Sequence, residues 1–211
     1  MRSADAVTLL RVALILLVAY LVLEKFNPIA IAAMIAIAMA MDALDGYFAV
    51  REASKGKVGF SMYLSAALGN SKSRASVSRF KHRVAQMSRY GARIDVAGDR
   101  IVEYALWITY TFAGVVPLFV IFLIIIRHSF ADAVMAARGT SSKMKTKFAR
   151  IVYSSNLWRG GINVVKFLAF AYLAFAYSWS YPLWIGYVLV AILVAYILLR
   201  GAAEIYEAYH A

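Results

Sequence analysis

The sequence predicts an all-α polytopic membrane protein with six transmembrane helices and both termini in the cytoplasm. Three observations carry that expectation. Hydrophobic residues fill 63% of the 211 positions and charged residues only 16%, with a mean hydropathy of +0.70, whereas a soluble domain is about 45–50% apolar and about 25% charged. Six apolar stretches reach the roughly 20 residues that a helix needs to cross the hydrocarbon core. Connections rich in Lys and Arg alternate with connections poor in them, so the basic loops fall on one side. The same composition excludes a disordered chain, and the absence of cysteine excludes disulfides, thiolate zinc sites and thiol catalysis. A net charge of +12 in so apolar a chain points to anionic lipid or phosphorylated substrates rather than nucleic acid.

The spans read as 6–24, 28–50, 91–113, 116–137, 148–176 and 181–203. Asn27-Pro28, Pro117 and Pro182 stand where a helix starts, because proline lacks only an N–H that the first turn leaves unused. The first stretch runs into Leu23-Glu24-Lys25-Phe26 without a small-residue cleavage site, so it reads as a retained span and not as a signal peptide. Segment 51–90 carries Arg51, Lys55, Lys57, Lys72, Arg74, Arg79, Lys81, Arg83 and Arg89 against the single acid Glu52. Segment 138–150 adds Arg138, Lys143, Lys145, Lys147 and Arg150 with no acid, whereas the alternate connections hold only Lys25. This bias places both termini and both basic loops in the cytoplasm, and the chain is expected to be a multi-pass protein of the plasma membrane. Residues 1–211 form a single transmembrane domain, interrupted by a cytoplasmic insertion at 52–90. In that insertion Val77, Phe80, Val84 and Met87 share one helical face, which suggests a basic amphipathic helix lying on the membrane surface. Tyr177, Trp179, Tyr181 and Trp184 read as an interfacial aromatic belt.

Four aspartates sit on the second and third spans: Asp42, Asp45, Asp95 and Asp99. An ionised carboxylate deep in a membrane helix costs about 2.5–3.5 kcal/mol on insertion scales, so four of them require pairing, hydration or a metal. Asp42 and Asp45 are i, i+3 and Asp95 and Asp99 are i, i+4, which puts each pair on one helix face. Both pairs lie near the cytoplasmic ends of their helices, so neighbouring antiparallel helices would bring them to one level. Clustered oxygens suit a hard divalent cation such as Mg²⁺, and no His or Cys nearby offers a zinc set. The alternative is that Arg11, Arg93 or Arg100 pairs with these carboxylates for structural reasons.

Asp42-Ala-Leu-Asp45-Gly46-Tyr-Phe-Ala49 followed by Gly91-Ala-Arg-Ile-Asp95-Val-Ala-Gly-Asp99 resembles the signature of the CDP-alcohol phosphotransferase family, D-x-x-D-G-x-x-A-R and G-x-x-x-D-x-x-x-D. Thr8-Leu-Leu-Arg11-Val is similar to the start of the first span in these enzymes. Two departures stand out. The family arginine is expected directly after Ala49, where Val50 stands and Arg51 follows one place late; and the halves of the motif are separated by some thirty residues more than usual. The resemblance implies a single transmembrane catalytic domain that transfers a phosphatidyl or archaetidyl group from a CDP-linked lipid to an alcohol and releases CMP. It implies that Asp42, Asp45 and Asp95 are metal ligands and that Asp99 is the base and touches a second metal. Two Mg²⁺ or Mn²⁺ ions per site are expected. Asp42, Gly46, Ala49, Arg51 and Gly91 would meet the nucleotide, and a homodimer is implied as well.

Arg127, Arg138, Lys143, Lys145, Arg150 and Arg159 gather around the fourth and fifth spans. Arg127 and Arg159 lie within apolar stretches, where a phosphate partner would offset the cost of a buried guanidinium; an ion pair such as Arg127 with Asp132 is the alternative. The phosphate reading favours a polyol phosphate acceptor, glycerol 3-phosphate or inositol 1-phosphate, as in the phosphatidylglycerol-phosphate and phosphatidylinositol-phosphate synthase branch. A non-phosphorylated acceptor such as serine is the second reading. A carboxylate-lined cation transporter is the rival from another class, since intramembrane acids also mark ion pathways.

Overall fold

The computed structural model describes the backbone of residues 3–67, 70–87, 91–138, 146, 151–152 and 156–210, and no strand occurs among them. The helices are α1 (Ser3–Leu23), α2 (Pro28–Ala53), α3 (Phe60–Ala67), α4 (Ser71–Met87), α5 (Gly91–Phe112), α6 (Leu118–Arg138), α7 (Asn156–Trp179) and α8 (Leu183–His210). Local chemistry sets their ends. The Asn27 side chain accepts the Ile29 N–H at 2.9 Å and Asn70 accepts those of Lys72 and Ser73, each capping the helix that follows. At the end of α1, Lys25 N–H reaches Val22 O and Phe26 N–H reaches Leu21 O, with Lys25 in the left-handed region at φ 51°. Gly114, at φ 75°, closes α5 in the same way without a side-chain penalty.

Four helices are long and apolar enough to cross a membrane among the described residues: Asp5–Leu23, Pro28–Ala53, Gly160–Trp179 and Leu183–His210. The third and fourth expected spans form as helices α5 and α6 but are not among these four. On α5 the cause is visible in the sequence: Arg93, Asp95, Asp99 and Arg100 crowd its first half and Glu103 follows. The fifth expected span has its described helix starting later, at Asn156, and the sixth runs on to His210. Leu9, Leu10, Leu16 and Leu17 of α1 are exposed while Ile15, Val18 and Val22 are buried, so this helix is apolar on both sides, as lipid contact requires.

The chain divides into two compact units, one of residues 1–18 and 36–105 and one of 19–35 and 106–211. In the first, Val50, Val58, Ala66 and Val77 form a buried cluster against which Tyr63, Phe80 and Val84 pack. The apolar stripe of α4, expected on a lipid surface, is therefore partnered by α2 and α3. Periodicity identifies the stripe and not what covers it. Arg74, Arg79 and Arg83 stay exposed on its other side.

In the second unit Trp107 and Tyr110 pack on Phe170, and the Tyr110 hydroxyl donates to Phe170 O at 2.7 Å. Arg127 is buried at 8% exposure, donating from Nη2 to Glu204 Oε2 at 3.1 Å and from Nε to Ile197 O at 3.1 Å. Gly201 makes room for it: a Cβ there would lie 2.7 Å from Arg127 Cγ. Removing one partner of a buried pair strands the other charge, at about 3–5 kcal/mol. Glu204→Ala should therefore lower unfolding free energy in mixed micelles by about that amount, and Arg127→Met combined with Glu204→Leu by much less. Equal stability of Glu204→Ala and wild type would show that the pair carries no such weight.

Candidate metal centre

The first unit assembles the acidic site from three helices. On α2, Asp42, Asp45, Gly46 and Ala49 recur at three- to four-residue spacing and share a face. On α5, Asp95 and Asp99 do the same. The third contribution is Thr8 and Arg11 of α1, one turn apart and buried at 3% and 2% exposure. Arg11 donates from Nη1 to Asp42 Oδ1 and from Nη2 to Asp99 Oδ1, so its planar fork ties α2 and α5 to α1. Thr8 Oγ1 lies 3.4 Å from Asp45 Oδ2. This contact depends on Gly98, one residue before Asp99: a Cβ there would overlap Thr8 Cγ2.

Asp42, Asp45 and Asp95 each offer one ligand atom, and these atoms all lie within 4.8 Å of one another. Oxygens held roughly 2.0–2.6 Å from a common hard cation are at most about 4–5 Å apart, so the three fit a single Mg²⁺ or Mn²⁺. The charge balance agrees, because one guanidinium faces four carboxylates. Exposure agrees too. The Arg11 side chain is 3% exposed, yet Asp42 and Asp99 keep 46% and 48% of theirs open to a ligand. The fold thus brings the aspartates together in one site, where Arg11 pairs with Asp42 and Asp99 and where Asp42, Asp45 and Asp95 form a group that could hold a metal ion. Asp99, expected among the ligands, lies outside that group.

Other expected site residues are placed differently. Gly91 opens α5 and Ala49 lies on the aspartate face of α2. Arg51, nine residues beyond Asp42 at about 100° per residue, turns to the opposite side of the helix. There it lines a pocket of about 340 Å³ with Phe48, Glu52, Lys55 and Gly56. Val50, where the family arginine is expected, is buried at 2% in the α2–α4 cluster. Arg127 is engaged by Glu204, and the side chains of Arg138, Lys143, Lys145, Arg150 and Arg159 lie outside the described residues. Sequence reasoning did not single out Gly98. A glycine ahead of an acid in an otherwise bulky helix was its only signal. Glu103, one turn beyond Asp99 and buried, also continues the acidic stripe of α5.

Gly98→Ala should destabilise the fold by about 1–3 kcal/mol through overpacking against Thr8. Because the clash is with the Thr8 methyl, adding Thr8→Ser should restore most of the loss in a detergent melting experiment. A neutral Gly98→Ala, or no rescue by Thr8→Ser, would contradict the contact.

Residues 1–59 match the family model for CDP-alcohol phosphatidyltransferase. The match takes in α1 and α2, with Thr8, Arg11, Asp42, Asp45, Gly46 and Ala49, and ends before α5. Comparison with curated proteins and with solved structures finds no match.

Proposed function

We propose that the protein is a divalent-metal-dependent CDP-alcohol phosphotransferase of phospholipid synthesis, moving a phosphatidyl or archaetidyl group from a CDP-linked lipid to a polyol phosphate. The observation that carries this reading is the meeting of three motif carboxylates within 4.8 Å, two of them inside the family match. The acceptor hydroxyl oxygen attacks the lipid-bearing phosphorus. The phosphoanhydride bond to the CMP phosphate breaks, CMP leaves with the bonding electrons, and the acceptor proton passes to Asp99. Arg11 orients Asp99 and Asp42 for this, so it is a positioning residue. Bound ions, two by the resemblance, would neutralise the pyrophosphate and the departing CMP. Asp42, Asp45 and Asp95 would hold the first, with Asp99 at the second. Ala49 would leave the nucleotide room against α2, whereas the space expected at Gly46 is taken by the Tyr63 hydroxyl.

The acceptor class rests on charge: Arg138, Lys143, Lys145, Lys147 and Arg150 stand without an acid among them, which favours glycerol 3-phosphate or inositol 1-phosphate over serine. Arg159 would add to that field, whereas the charge of Arg127 is neutralised by Glu204. The Lys/Arg bias supports a site open to the cytoplasm, where soluble CMP leaves and the lipid tails stay in the bilayer, and the membrane in this reading is the plasma membrane. The active form in this reading is a homodimer.

The test is CMP release from CDP-diacylglycerol by the purified chain with glycerol 3-phosphate, inositol 1-phosphate, serine or no acceptor, each with and without Mg²⁺. Metal-dependent release stimulated by one polyol phosphate is expected, and Asp99→Asn should reduce it by about 10²–10⁴-fold, the usual worth of a general base. Stimulation by serine alone would move the acceptor assignment. Silence with every acceptor would sink the reading.

A further inference from the structure

The insertion places a tyrosine on the motif. Tyr63 of α3 packs its ring edge-on to Tyr47 of α2, with centroids 5.6 Å apart, and Tyr47 in turn meets Phe60 at 5.3 Å. Tyr63 also leans on the cluster of Val50, Val58, Ala66 and Val77. Anchored on both sides, it carries its hydroxyl to Gly46, where a Cβ would lie 2.7 Å from Tyr63 Oη. Gly46 adjoins Asp45, the buried member of the ligand group. A tyrosine phenol, with an ordinary pKa of about 10, is a protonated donor at physiological pH. Among the described residues that donor has no hydrogen-bond partner.

A fixed phenol O–H that is open to solvent and has no acceptor among the described residues, beside a carboxylate cluster that suits a divalent cation, is matched by an oxygen that the cation brings with it. We propose that Tyr63 contacts the substrate, its hydroxyl donating to a phosphate oxygen of the nucleotide held at Asp42, Asp45 and Asp95. The inference rests on the proposed function and adds a residue from the insertion. It also joins two departures of the sequence into one. Val50 is apolar because α3 and α4 cover it, and the same α3 delivers a hydroxyl to the next turn of α2.

The experiment is calorimetric titration of the full chain in detergent with CMP, with and without Mn²⁺, for wild type and Tyr63→Phe. Phenylalanine keeps the ring contacts and removes only the hydroxyl. A hydrogen bond to a charged group accounts for about a 10- to 100-fold change in affinity. Mn²⁺-dependent CMP binding should therefore weaken by about that factor in Tyr63→Phe, at an unchanged melting temperature. Wild-type binding matched by Tyr63→Phe would overturn the inference alone. If wild type shows no Mn²⁺-dependent CMP binding, the nucleotide assignment fails and the inference falls with it.

Discussion

One buried guanidinium organises the acidic site. Arg11 lies in an apolar helix at 2% exposure, where an unpaired charge would be untenable, and it reaches carboxylates 31 and 88 residues away in sequence. Several other features of the first unit follow from it. Gly98 must lack a side chain so that α1 and α5 can approach, Thr8 fills the space left, and Asp42 and Asp99 are fixed at one end of the fork. Arg11 bonds Asp42 and Asp99 and leaves Asp45 and Asp95 without that guanidinium, so the negative charge at Asp42, Asp45 and Asp95 suits a cation.

The insertion after α2 is part of the same construction. A basic segment in this place need only satisfy the charge bias of a cytoplasmic loop. Instead α3 and α4 turn their apolar faces onto Val50 and Val58, and the turn between α2 and α3 is held by Ser54, which accepts the Val58 N–H and donates to Arg51 O. The side chain at position 50 is consequently a packing residue, and the arginine one place on faces the side of α2 away from the aspartates, among Phe48, Glu52 and Lys55.

Much of this was legible in the sequence, for reasons of range. Helix starts at Pro28 and Leu183 follow from proline and hydropathy, and the shared faces of Asp42 with Asp45 and of Asp95 with Asp99 follow from helical period alone. Partners across helices were not. Arg11 was one of three arginines that could have met the aspartates, and only the fold selects it. Arg127 offered the local Asp132, while the structure bonds it to Glu204, 77 residues on, through the gap at Gly201. The apolar stripe of α4 announced burial, but a surface helix and a packed one share that pattern. The helix α5, read from the sequence as a span, is not among the four helices apolar enough to cross a membrane, because the residues that build the site are those that lower its hydropathy.

Three carboxylates of α2 and α5 are placed to hold one divalent cation, and electron paramagnetic resonance titration of the purified chain with Mn²⁺ decides whether they do, comparing wild type with Asp45→Asn, Asp95→Asn and, as a control outside the site, Asp132→Asn. Saturable Mn²⁺ binding that Mg²⁺ displaces is expected, lost in the first two variants and kept in the third. Mn²⁺ binding that never saturates, or that survives both Asp45→Asn and Asp95→Asn, would contradict it.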